Sequence, residues 1–206
     1  MAGPKVLPAK KALPRGRPRQ FDKPEAIRQA LNLFWERGYE GVTTAELTRA
    51  MGIHSPSLYQ AFGDKAGLFR AAIQLYAVEW ERVVEKIEAV PSFSGVLEVL
   101  SSNAIGRFPK GDHPGGCLFL TAQLGLRPER SAMEAIVVGY RKRLLDLVVR
   151  RASDAVENGE LRSDVDPQSL ASFVMAVVQG MAIQGRDGAT SSDLESIAQW
   201  TQRILR

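Results

Sequence analysis

The sequence predicts an all-α protein, with an N-terminal three-helix module containing a helix-turn-helix followed by a larger helical body. Three observations predict it. Apolar residues recur at i, i+4, i+7 and i+8 from Ile27 onward, helix start and stop signals sit at the ends of those runs, and no stretch alternates as a half-buried strand does.

The first helix opens near Pro24, buries Ile27, Leu31, Phe34 and Trp35 on one face, and closes at Gly38. Thr43-x-x-Glu46 matches a capping box and starts a short second helix whose Leu47, Ala50 and Met51 are expected to face inward. Gly52 supplies the turn and Ile53 a buried anchor, and a third helix opens around His54. Pro56 fits there, because near a helix start its missing N–H costs no hydrogen bond. Two short helices joined by a tight turn containing Gly form a helix-turn-helix. Leu58, Ala61 and Phe62 face the small core of the module. That leaves Ser55, Ser57, Tyr59 and Gln60 with polar tips at the N-terminal end of the third helix, where side chains can meet DNA base edges and phosphates.

Asp64 suits the N-cap of a long helix in which Phe69, Ile73, Tyr76, Trp80, Val83, Val84 and Ile87 keep helical spacing until Pro91. Further helices are expected over 94–108, 116–125, 128–158, 167–187 and 192–205. The run LASFVMAVVQGMAI is apolar around its circumference: Leu170, Phe173, Val174, Val177 and Met181 on one side, Ala171, Met175, Val178 and Ala182 on the other. A surface helix shows a polar face, so this one is expected to be covered twice, by the chain's own core and by the same helix of a second copy. The expected dimer contact comprises Leu170, Val174, Met175, Val178 and Met181, with Leu194, Ile197 and Trp200 of the last helix alongside.

Composition bounds the function. The 206 residues are 45% hydrophobic and 24% charged, ordinary for a globular chain. The formal net charge is +4, and residues 1–23 carry seven Lys and Arg against Asp22 alone, so the positive charge lies in the tail and the body is near neutral. One cysteine, Cys117, excludes an intramolecular disulfide and fits a reducing compartment. The N-terminus lacks the apolar stretch of a signal peptide, and residues 170–183 fall short of the roughly 20 that span a bilayer, so a cytoplasmic protein without membrane contact is expected.

In DHPGGC, Asp112, His113 and Cys117 could ligate a soft metal or form a nucleophilic pair, but Pro114, Gly115 and Gly116 break helical i, i+4 geometry. The expectation is no metal, no cofactor and no catalytic residue, with Cys117 a small buried residue at a helix start. Redox or metal sensing through Cys117, and a thiol enzyme, are the alternatives. Tyr76, Trp80, Phe108, Phe119, Tyr140 and Phe173, with Cys117, are candidates to line an apolar pocket or to fill the core.

The order of a basic arm, a helix, T-T-x-E-L, and M-G-I-x-x-x-S-L-Y-x-x-F-x-x-K-x-x-L-F over residues 20–70 resembles the DNA-binding domain of TetR-type one-component transcriptional regulators. Thr43, Thr44, Leu47, Gly52, Ile53, Leu58, Tyr59, Phe62, Lys65, Leu68 and Phe69 carry that pattern. The resemblance implies a homodimer on a palindromic double-stranded operator, usually a repressor, released by a small-molecule effector. It implies phosphate contacts from Thr43, Thr44, Tyr59 and Lys65, and groove-facing Ser55, Ser57 and Gln60. His54 and Pro56 belong to the same helix start and depart from the pattern, where a small cap and a Gly or Lys are commoner. RGRPR resembles an arginine arm, with Arg15, Arg17 and Arg19 drawn to the negative minor groove. The expected division is an arm at 1–20, a DNA-binding domain at 21–68 and an effector-binding and dimerisation domain at 69–206. A regulator worked by a protein partner, with a filled core in place of a cavity, is the remaining reading.

Overall fold

The computed structural model describes residues 21–121 and 132–204. Arg15, Arg17 and Arg19 of the arm, and the expected helical residues 122–125, 128–131 and 205, lie outside the described residues. Those described are helical throughout their regular elements: α1 (Lys23–Arg37), α2 (Thr44–Ala50), α3 (Ser55–Phe62), α4 (Lys65–Ala89), α5 (Phe93–Arg107), α6 (Leu118–Thr121), α7 (Ala132–Glu157), α8 (Pro167–Asp187) and α9 (Ser191–Ile204).

Each start has a local cause. The Asp22 carboxylate accepts the Glu25 N–H at 3.1 Å, Asp64 accepts Gly67 N–H at 2.6 Å, Ser92 accepts Gly95 N–H at 3.0 Å and Asp166 accepts Ser169 N–H at 2.9 Å. Each bond satisfies one of the four N–H groups that a helix start leaves without a partner. Thr43 and Glu46 complete the capping box at α2. Between α2 and α3, Gly52 takes φ 64°, a left-handed turn that a side chain would strain.

Leu47, Leu58 and Leu68 are fully buried beneath α1, α2 and α3, each contributing about 1.5–3 kcal/mol of hydrophobic stabilisation. The burial expected of Ala50 and Ile53 needs correction here. Ala50 is exposed at the end of α2 and Ile53 only half-buried, while Met51 between them is the residue that reaches the small core. The expected boundary between residues 68 and 69 falls inside α4, which runs without a break from the module into the body, and one apolar core extends from Ala26 to Ala198.

In the body α7 packs on α8, α5 on α9 and α4 on α5. Glu160, just past α7, accepts Phe93 N–H at 2.8 Å and Ser94 N–H at 3.0 Å, so a distant carboxylate adds to the cap of α5. The link from α5 to α6 lies directly against α8. A Cβ on Gly185 would stand 2.5 Å from the Phe108 carbonyl oxygen, and one on Gly116 2.4 Å from that of Ala182.

That approach decides which way α8 faces, and it corrects the expected dimer contact. Val174, Met175, Val178 and Met181 are all buried in the chain's own core, as is Leu194 of α9. Once Gly185 and Ala182 meet the α5–α6 link, these positions turn inward with them. On these two helices the large apolar residues that reach the surface are Phe173 and Ile183 of α8 and Trp200 and Ile204 of α9, and Leu170, Val177 and Ile197 are half-buried. No described helix is long and apolar enough to cross a membrane.

Candidate nucleic-acid interface and ligand cleft

The start of α3 is held from below and open above. Leu58 is 0% exposed and anchors the helix, while His54, Ser55, Pro56, Tyr59 and Gln60 are exposed and Ser57 half-buried. His54 takes the N-cap position without a side-chain cap, so its ring and the first-turn N–H of Ser55 are unspent. A helix N-terminus with N–H groups and short polar side chains is suited to phosphate and base-edge contact.

Thr43 and Thr44 differ. The Thr43 N–H and hydroxyl both donate to the Glu46 carboxylate, at 2.8 and 2.7 Å, and the hydroxyl accepts Glu46 N–H at 3.2 Å. Both donors of Thr43 are therefore committed to the cap, and the groups left to meet a phosphate at this helix start are those of Thr44. The cap bonds and Arg37, 2.7 Å away, bring the Glu46 carboxyl down to about 2.

Lys65 opens α4 with its ammonium 4.3 Å from the centre of the Tyr39 ring. Tyr39 itself packs edge-on against Phe69 at 5.1 Å and stacks on Phe34 at 6.1 Å, so the core fixes the ring and the ring steers the cation. Tyr39 lies outside the motif that marks the other contact residues. The signal was the Gly38-Tyr39 pair, an aromatic placed directly after a helix stop.

The second site lies where the module meets the body. Tyr76, Trp80 and Phe108 with Val83, Leu100, Gly116, Cys117, Leu120, Leu144 and Val178 enclose a cleft of about 30 Å³ whose mouth carries Glu79, Asn103 and Arg107. Phe119 and Tyr140 stack on each other at 4.1 Å and pack against Tyr76 and Trp80 without lining the cleft. Phe173 is 41% exposed on the outer surface of α8, so it does not line the cleft. The expected set thus divides into four lining residues, two supporting rings and one surface residue.

Cys117 is buried, and the Tyr76 hydroxyl donates to its sulfur at 3.1 Å while accepting Leu118 N–H at 3.1 Å. Burial pushes the thiol up from its ordinary value and the Tyr76 phenol well up. A thiol so placed stays protonated and is a poor nucleophile. His113 serves elsewhere. Its ring stacks on Trp35 at 4.9 Å, its Nδ1 accepts Gly115 N–H at 3.0 Å, and burial lowers its pKa. No group of three metal-ligating side chains occurs among the described residues.

Three further contacts join the body to α1, each between residues far apart in the chain and so without a local sequence signal. The Tyr76 ring meets Trp35, Asn32 donates to the Asp112 carbonyl at 3.4 Å, and Arg186 donates to the carbonyls of Trp35 and Glu36 at 3.2 and 2.5 Å. The Arg186 cation thereby neutralises the negative end of the α1 dipole.

Comparison with known proteins gives two family matches: residues 26–72 fit "bacterial regulatory proteins, tetR family" and residues 97–199 fit "tetracyclin repressor-like, C-terminal domain". The chain is 31% identical to the HTH-type transcriptional repressor ComR of Escherichia coli K12, over 92% of this chain and 91% of that one. It is 29% identical to the repressor BdcR of the same organism, over 87% and 86%. Among solved structures it is similar to a cysteine mutant of the regulator CifR complexed with 26-base-pair operator DNA, with a TM-score of 0.81 and 35% identity, covering 93% of this chain and all of that one.

Proposed function

The chain belongs to the TetR family of DNA-binding transcriptional repressors, and on that premise we propose that it occupies a two-fold symmetric operator as a homodimer and is released when a small molecule enters the cleft beside Tyr76. The observation that carries the reading is the exposed N-terminal edge of α3, with His54, Ser55, Tyr59 and Gln60 outward and Leu58 locked beneath. CifR, with 35% identity, is bound to operator DNA in its solved complex. Here Ser55, Ser57 and Gln60 read the groove, and Thr44, Tyr59 and Lys65 hold the backbone.

The second copy packs on the apolar surface of Phe173, Val177 and Ile183 of α8 and Ile197, Trp200 and Ile204 of α9. Such a stripe is costly to leave in water, and a self-complementary contact yields two-fold symmetry. The symmetry carries two α3 helices to successive major grooves, roughly 34 Å apart. Release is a population shift: the ligand favours a conformation whose two reader helices are wrongly spaced. Moving the balance from 1:99 to 99:1 takes about 5.5 kcal/mol of differential affinity.

The test is fluorescence anisotropy on a duplex selected by this protein from a random library, across a salt series. Lys65→Ala should weaken all sequences alike and lower the slope of log K against log salt by about 1, whereas Gln60→Ala should change base preference and leave the slope. Identical behaviour of the two variants would refute the division between reading and positioning residues.

A further inference from the structure

The mouth of the cleft differs chemically from its wall. Arg107 donates to Glu79 at 2.9 Å, and Glu79 is paired a second time by Arg82, whose side chain is 63% exposed. The carboxylate is therefore satisfied from both sides. A guanidinium has five N–H donors, and among the described residues Arg107 donates one bond, to Glu79. The Asn103 amide makes no hydrogen bond there at all. Arg107 thus has donors to spare at the mouth, and the Asn103 amide can turn its NH2 or its oxygen toward a ligand.

We infer that the cleft binds a small monocarboxylate with an aromatic or branched apolar body, its carboxylate on Arg107 and Asn103 and its body among Trp80, Leu100, Phe108 and Leu144. This rests on reading the cleft as the effector site. A carboxylate on a guanidinium makes charge-assisted bonds, and the apolar body gains by leaving water. A cation would face Arg107 and find Glu79 already paired twice.

The cleft's size makes such a ligand a switch. About 30 Å³ holds roughly one water, so a ligand of this class enters only if the wall moves. Tyr76 is the wall residue that also touches α1, through Trp35. A ligand that binds only the opened cleft selects a conformation in which Tyr76 has shifted, and the Trp35 contact shifts with it.

The experiment is calorimetric titration of the full-length dimer with phenylacetate, 3-phenylpropanoate and 4-methylpentanoate, beside their primary amides and phenethylamine. At least one acid should bind, and its amide should bind about tenfold more weakly or worse, the usual worth of a hydrogen bond to a charged group. Arg107→Gln and Asn103→Asp should each abolish that preference, with circular dichroism melts to confirm folding. Asn103→Asp is the gentler change, since the amide holds no other group in place. Equal binding of acid and amide, preference for the amine, unchanged selectivity in both variants, or no binding of any acid at millimolar concentration would overturn the inference. A parallel anisotropy titration on the selected duplex separates the two readings. An acid that binds through Arg107 without releasing DNA confirms the site and refutes the effector mechanism.

Discussion

Tyr76 of α4 meets Trp35 of α1 edge to face, with ring centroids 5.0 Å apart, and the same tyrosine holds Cys117 and the Leu118 N–H through its hydroxyl. Ring and hydroxyl can be separated by mutation. Tyr76→Phe keeps the ring against Trp35 but leaves a buried N–H unpaired, which costs about 1–3 kcal/mol. Urea denaturation should show that loss, while affinity for the selected duplex stays within error. Trp35→Leu, which removes the ring contact, should instead reduce the ability of any cleft ligand to release DNA.

The thiol of Cys117 should be inert in the folded protein. Because burial raises its pKa, less thiolate is present at mildly alkaline pH than on an exposed cysteine. Alkylation by iodoacetamide at pH 8 should be slow in the native protein and fast in urea, and Cys117→Ser should retain operator affinity. A native rate equal to the unfolded one would restore the sensing reading.

Glu46 gives a pH signature with a definite sign. Its folded carboxyl titrates at about 2, held down first by the Thr43 N–H and hydroxyl and then by Arg37. An unfolded Glu titrates near 4.3, so the stabilisation is complete above that value and is lost as pH falls from roughly 4.3 through 2. Circular dichroism melts across this window should fall less steeply in Glu46→Gln than in the parent. Thr43→Ala, which removes the other half of the box, should cost about 1 kcal/mol.

The orientation of α8 separates two kinds of substitution. Phe173→Arg with Ile183→Glu places charge on an exposed face, and should give folded monomers by sedimentation equilibrium with specific DNA binding lost. Met175→Arg buries an unpaired charge in the chain's own core and should unfold the protein. A folded Met175→Arg monomer, or a dimeric outer-face variant, would reverse the assignment.

Helix starts were legible in the sequence because a cap is a local device. Thr43, Asp64 and Pro56 act within three residues of themselves, and α2, α3 and α4 begin where those residues place them. The inward face of α8 was not legible, since an apolar residue on every side leaves the period without a phase. The approaches of Gly185 to Phe108 and of Ala182 to Gly116, both far away in sequence, set it. The aromatic candidates posed the same difficulty. Tyr76, Trp80 and Phe119 share one composition signal, yet two line the cleft and the third stands behind them. Arg107 and Asn103 escaped notice because polar residues on an amphipathic helix look like its wet face until a neighbouring helix turns them toward a cavity.

Where Gly185 and Gly116 press on carbonyls, backbone lies against backbone with no side chain between. Side chains cushion most helix contacts, because a rotamer can yield while the main chain stays still. Here there is nothing to yield. A displacement of the α5–α6 link toward α8 therefore meets main chain directly, and the next residue, Arg186, donates to the end of α1. The joint behaves as a gear tooth rather than a spring, so a single methyl group added at residue 185 should jam it as effectively as removing the arginine would disengage it.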